Sequence, residues 1–218
     1  YFTAIKYLYV SVALIIEFTA PIWITLYIRF IKKESVAKSM WYGLILGFGG
    51  LILVGQVWKG LTFNGLGLIS SIIDALALAF YFYQAAKLRK EVSSQTLILY
   101  GMGVTAIFFS ILQPWWSYPF HIFTEQIPLT GHFTGHTLPG WMLVGWVIIF
   151  GTLVPYLLVT TAIKNISASA ASIIGMLEPI LAGIFAWIVL KETFNLIQII
   201  GGAVVLVGIY FADKAASN

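Results

Sequence analysis

Residues 161–192 read TAIKNISASAASIIGMLEPILAGIFAWIVLKE, and residues 3–34 read TAIKYLYVSVALIIEFTAPIWITLYIRFIKKE. A single shift of 158 residues lays one stretch on the other without a gap, and 12 of 32 positions are then identical. Thr3-Ala4-Ile5-Lys6 falls on Thr161-Ala162-Ile163-Lys164, Pro21-Ile22 on Pro179-Ile180, and Lys33-Glu34 on Lys191-Glu192. With one further residue, Gly43 and Gly49 fall on Gly202 and Gly208. Two apolar segments share Ala and Ile through composition alone. A matched Pro, Lys-Glu and Ala-Ile-Lys at one offset mark an internal repeat.

The repeat sits in a chain of 218 residues that is 60% apolar and 9% charged. A soluble domain is about 25% charged, so an ordinary soluble enzyme and a disordered chain are both excluded. The 12 Lys and Arg form no basic stripe, so no nucleic acid partner is expected. Without cysteine there is no disulfide frame, thiolate nucleophile or cysteine-based metal site. Crossing a bilayer takes about 20 apolar residues in a helix. Seven runs qualify, near 9–31, 40–57, 66–87, 95–116, 139–163, 168–190 and 194–211, and residues 1–6 form the stub of an eighth helix. The expected fold is all-α, a polytopic membrane helix bundle, with the lipid bilayer as its first partner.

The breaks between runs are short and polar, except for the long segment 117–138. Placing the loop after the first run in the cytoplasm puts Arg29, Lys32, Lys33, Lys38, Lys87, Arg89, Lys90, Lys164 and Lys214 inside and leaves Lys6, Lys59 and Lys191 outside. That asymmetry sets the orientation. The C-terminus is then cytoplasmic, 117–138 is external, and the membrane is the cell (cytoplasmic) membrane. Lys33-Glu34 and Lys191-Glu192 fall on opposite sides. The repeat unit therefore holds five helices and is inverted, an architecture of transporters. Residues 1–58 read as the end of helix 3 and helices 4–5 of a first unit, and 66–213 as the complete second unit. Seven spans and a stub of an expected ten are present, so the chain is expected to be a piece of a longer one.

The pattern of a small-residue helix, central Pro, Lys-Glu and a Gly-rich helix occurs twice. The second copy reads Ser167-Ala168-Ser169-Ala170-Ala171, Leu177-Glu178-Pro179, Lys191-Glu192 and Gly201-Gly202 through Gly208. This resembles EamA-type transporters of the drug/metabolite transporter superfamily. The resemblance implies two inverted five-helix repeats around a central cavity, both termini cytoplasmic, and export of small metabolites, often amino acids.

Ionisable groups inside spans are costly and mark function by default. Glu17 and Asp74 each lie eight residues from one end of their runs, about 12 Å at 1.5 Å per residue. Glu178 lies about ten residues into its run. All three fall near the midplane, with no Lys or Arg at that depth to pair with. They are candidates for binding a cationic substrate or for relaying protons, and protons are the candidate coupling ion. Glu178 aligns with position 20, close to Glu17 on one helix face. Pro21 and Pro179 are candidate kinks that remove a donor and free the carbonyls of Glu17 and Gly175. Thr152, Tyr156, Thr160 and Lys164 recur every four residues, and Ser70, Asp74 and Tyr81 share another face. Thr152, Tyr156 and Tyr81 join the candidate lining.

Each of these groups also has a structural use, in packing or as interhelical bonds. Gly43-x-x-x-Gly47 and the face of Ala168, Ala171, Gly175 and Ala182 read as packing. His132 and His136 stand four apart but beside Gly131 and Gly135, so no metal site and no cofactor is expected. The leading function is a secondary transporter of a small molecule, alternating access around a midplane site. The alternatives are a non-transporting membrane scaffold and an embedded enzyme. For the enzyme no H-E-x-x-H, Asp-rich or membrane-depth His motif is present.

Overall fold

The computed structural model describes residues 1–59, 64–88, 91–162, 166–190 and 193–216. Arg89, Lys90, Lys164, Asn165 and the Lys191-Glu192 pair lie outside the described residues. Seven helical stretches of 18 to 24 residues are long and apolar enough to cross a membrane. In hydrocarbon every backbone N–H and C=O must be satisfied within the segment, which favours continuous helices. The chain is an all-α, multi-pass membrane bundle.

The elements are α1 (Phe2–Tyr7), α2 (Val10–Glu17), α3 (Ala20–Leu26) continuing through a π-helical turn (Tyr27–Ile31), and α4 (Lys38–Gly55). Then come α5 (Gly65–Leu88), α6 (Ser94–Leu112), β1 (Gln126–Pro128) and β2 (Thr137–Pro139). Next are α7 (Gly140–Ile148), a π-helical turn (Ile149–Leu153) and α8 (Val154–Ala162). The chain ends with α9 (Ala168–Ile174), a 3-10 turn (Gly175–Leu177), α10 (Glu178–Leu190) and α11 (Leu196–Ala216).

Polar residues at the breaks cap helices by accepting orphan N–H groups. Asn64 Oδ1 accepts from Gly67 N at 3.0 Å, Ser93 Oγ from Thr96 N at 3.1 Å, and Ser167 Oγ from Ala170 N at 3.2 Å. Asn195 and Gln198 form a reciprocal capping box, 3.0 and 3.1 Å. That box starts the last helix at Leu196, two residues later than the apolar run suggested. The fourth run also ends early, at Leu112. Gln113 is extended before Pro114, and Trp115–Ser117 forms a separate 3-10 turn.

The chain divides into two compact units. Unit 1 comprises 1–86, 166–187 and 192–218. Its spine is the α4–α11 pair, where Gly43 meets Gly208 and Gly50 meets Gly201. A Cβ on Gly43 would lie 2.9 Å from the Gly208 carbonyl oxygen, and one on Gly50 2.7 Å from that of Gly201. Rising numbers on one helix meet falling numbers on the other, so the pair is antiparallel, as an inverted repeat requires. Gly43-x-x-x-Gly47 thus packs inside the chain, Gly43 on α11 and Gly47 on Met176. The core gathers Ile15, Phe18, Leu44, Leu51, Ile173, Met176 and Val205. Ile15 and Ile173 are repeat mates, as are Phe18 and Met176, and all four are buried.

Unit 2 comprises 87–165 and 188–191. Within it α6 packs on α8. The long segment is more ordered than a plain loop. β1 and β2 pair antiparallel, with Ile127 opposite Leu138. The turn Phe120–Phe123 packs under α7, and Gly140 N donates to the Glu125 carbonyl at 2.9 Å. Gly131, at φ 69, turns the chain in the left-handed region that favours glycine.

Candidate functional site

The site begins at two backbone breaks. α2 stops at Glu17 and α3 starts at Ala20; α9 stops at Ile174, and the 3-10 turn 175–177 leads into α10. Under the shift of 158, residues 17–19 fall on 175–177, so both repeats break at the same place. Pro21 and Pro179 stand just after these breaks. Each stands in the first turn of the helix that follows, where its missing N–H costs nothing. The Gly175 carbonyl is re-satisfied locally. Gly175 O accepts from Glu178 N, and Ile16 O accepts both Thr19 N at 3.0 Å and Thr19 Oγ1 at 2.6 Å. The expectation of a free carbonyl at Gly175 is therefore corrected: the tighter turn supplies a donor that an α-helix would not.

These breaks place the acids. Glu17 closes α2, Glu178 opens α10, and Asp74 lies within the unbroken α5. All three belong to unit 1. Asp74 and Glu178 are charged neighbours of Glu17, and all three carboxyls are neighbours of Tyr1. α1 ends beside α5, where a Cβ on Gly67 would meet Tyr7 and Leu8. Glu17 and Asp74 are half-buried and Glu178 is exposed. Tyr81 is half-buried on α5, edge-on to Phe82 at 5.6 Å between ring centres. Because α5 is unbroken, Ser70, Asp74 and Tyr81 keep the shared face that their spacing implies.

The second polar stripe is different. The π-helical turn 149–153 inserts a residue into the period, so Thr152 is out of phase with Tyr156 and Thr160. Thr152 Oγ1 donates to the Val147 carbonyl at 3.2 Å and Thr160 Oγ1 to the Tyr156 carbonyl at 2.7 Å. Tyr156 is exposed while Thr160 is buried. The expectation of one continuous face through 152, 156 and 160 is corrected on that ground. These residues lie in unit 2. Ala182 is exposed, so the small-residue packing face of that span ends before it. Among the described residues no group of three or more His, Asp or Glu is placed to hold a metal.

Sequence comparison agrees with this architecture. Residues 65–212 match the profile of the EamA-like transporter family. The chain belongs to that family. Three relatives carry the name uncharacterized transporter. One from Archaeoglobus fulgidus is 27% identical over 215 residues, covering 97% of this chain and 70% of that protein. Another, YdfC of Bacillus subtilis, is 22% identical over 202 residues, covering 92% and 61%. A third, from Synechocystis, is 24% identical over 217 residues, covering 89% and 60%. This EamA-like chain thus spans between 60% and 70% of the relatives' lengths. A solved structure overlays all of the chain and 71% of its own, with TM-score 0.73 at 16% identity, a likeness of fold.

Proposed function

We propose that the protein is a secondary transporter of small metabolites in the cell membrane, an exporter of amino acids or related amines. The observation that carries this reading is that Glu17 has Asp74 and Glu178, from two other helices of the same unit, as charged neighbours. Two of these acids stand at repeat-matched helix breaks. Carboxylates suit an ammonium group, and a phosphorylated substrate would want Lys or Arg at the same depth. Broken helices in corresponding positions of inverted repeats are where transporter sites are built. The carboxyls bind the substrate's ammonium in turn with protons, and rocking of the repeats opens the site to each side. Under the charge asymmetry of the loops, 117–138 is external and the C-terminus internal.

The test is counterflow in liposomes. Proteoliposomes loaded with one unlabelled amino acid or amine are offered the labelled compound, with Glu178→Gln alongside. The expected result is accumulation of one compound, lost in the variant. Accumulation that Glu178→Gln leaves intact would remove Glu178 from the site. No accumulation of any amine or amino acid by correctly inserted protein would overturn the substrate class.

A further inference from the structure

The two breaks close their turns by different means. At the first, side chains take part. Thr19 Oγ1 donates to the Ile16 carbonyl at 2.6 Å, and Trp23 Nε1 donates to Thr19 Oγ1 at 3.0 Å. The direction of this chain is forced. An indole N–H only donates, and a hydroxyl has a single proton. With Trp23 on a lone pair of Thr19, the hydroxyl gives its proton to Ile16. The Thr19 backbone N–H reaches the same oxygen at 3.0 Å, so the Ile16 carbonyl holds two donors from one residue. At the second break the repeat shift puts Leu177 where Thr19 stands and Leu181 where Trp23 stands. Neither leucine can form such a link, and the turn closes through the backbone, with Glu178 N donating to the Gly175 carbonyl.

The braced oxygen bears on Glu17. A peptide unit is planar, so the Ile16 carbonyl and the nitrogen and Cα of Glu17 share one plane. Donors that fix the carbonyl fix that plane, and with it the direction in which the Glu17 side chain leaves the backbone. Glu17 is the last residue of α2, where the regular ladder of the helix gives out. Its charged neighbours Asp74 and Glu178 come from other helices, so its place among them depends on how firmly its own turn is held.

We propose that Thr19 is a positioning residue for Glu17, and that Trp23 orients the Thr19 hydroxyl for that task. The proposal rests on the part of Glu17 in the transporter reading and adds two residues that touch no substrate. It also makes the breaks unequal: the turn at 17–19 is set, and the turn at 175–177 is the more pliable hinge. A purely local use of the contact would be to satisfy the Trp23 N–H inside hydrocarbon. On that use Glu17 would be indifferent to loss of the Thr19 hydroxyl.

The chain has no cysteine, so a single cysteine reports without background. In liposomes, Glu17→Cys and Glu178→Cys are labelled separately with a small permeant maleimide. Thr19→Val, of similar volume without the hydroxyl, is expected to speed labelling at position 17 severalfold and to leave position 178 unchanged. Trp23→Phe, which keeps a ring and loses the N–H, is expected to give a smaller rise at 17; it serves if Thr19→Val prevents folding. Thr19→Ser, which keeps the hydroxyl, is expected to restore the parent rate. In chains that keep both acids, Thr19→Val is expected to raise the half-saturating concentration in counterflow about tenfold, the worth of one hydrogen bond, with Thr19→Ser recovering it. Loss of a merely structural contact would lower the amount of inserted protein and not the half-saturation. Labelling at 17 unmoved by both Thr19→Val and Trp23→Phe, or a rise of equal size at 178, would overturn the brace. Faster labelling at 17 without counterflow of any amine or amino acid would sink the substrate class and leave the brace standing.

Discussion

Residues 3–34 and 161–192 share one skeleton and differ in what they touch. At the centre the copies agree: both break two to four residues before a proline, and both bury the side chains at 15/173 and 18/176. Away from the centre they part. Glu17 ends a helix and Glu178 begins one. α3 is buried and α10 is exposed. The glycines diverge most sharply. Gly43 and Gly208 touch each other's helices, while their mates Gly202 and Gly49 have nothing within 4 Å. The copies share the place of the break and differ in what this stretch of chain covers.

The largest expected effect tests the glycines. Gly208→Leu puts a Cβ 2.5 Å from the Gly47 nitrogen, so α4 and α11 must separate. The expected loss is about 3 kcal/mol, at the upper end for overpacking. Gly49→Leu at the mate position is expected to change stability by less than about 0.5 kcal/mol. Melting of the two variants in detergent reads the difference, and equal shifts would remove the distinction between the copies.

The acids come next. Glu178→Gln and Glu17→Gln are both expected to abolish counterflow while melting as the parent does. If only one does so, the acids act singly and the copies differ in chemistry as well as packing. The caps follow. Asn195 heads α11 with a side-chain cap, whereas Ala37 heads α4 with none. Asn195→Ala is expected to cost about 1 kcal/mol and Ala37→Asn to gain a similar amount. A melting series with both substitutions in one chain should return to the parent value. The smallest effect concerns the prolines. Pro21 is buried and Pro179 half-exposed. Pro21→Ala is expected to cost more than Pro179→Ala, by about 0.5 kcal/mol.

The spans, the repeat and its inversion were legible because each depends on run length, charge or a fixed offset. What escaped depends on local backbone detail or on rotation about helix axes. The π-helical turn at 149–153 has no proline to announce it, and it undid the four-residue stripe through Thr152. The strands 126–128 and 137–139 have three residues each, too few to show alternation. The breaks lie in the turn ahead of each proline, and the exact residues at which each helix stops are local backbone detail. Midplane depth for Glu17, Asp74 and Glu178 follows from counting along each helix. That Asp74 and Glu178 neighbour Glu17 follows only from how the three helices are turned.

The glycine contact between α4 and α11 carries a mechanical consequence. Interlocked side chains resist rotation, because each knob must leave its hole before the helices can turn. At Gly50 and Gly201 the missing side chains leave gaps, and Val205 and Leu53 sit against them like teeth. The joint is a locked one, and α4 and α11 are expected to move together as a single strut.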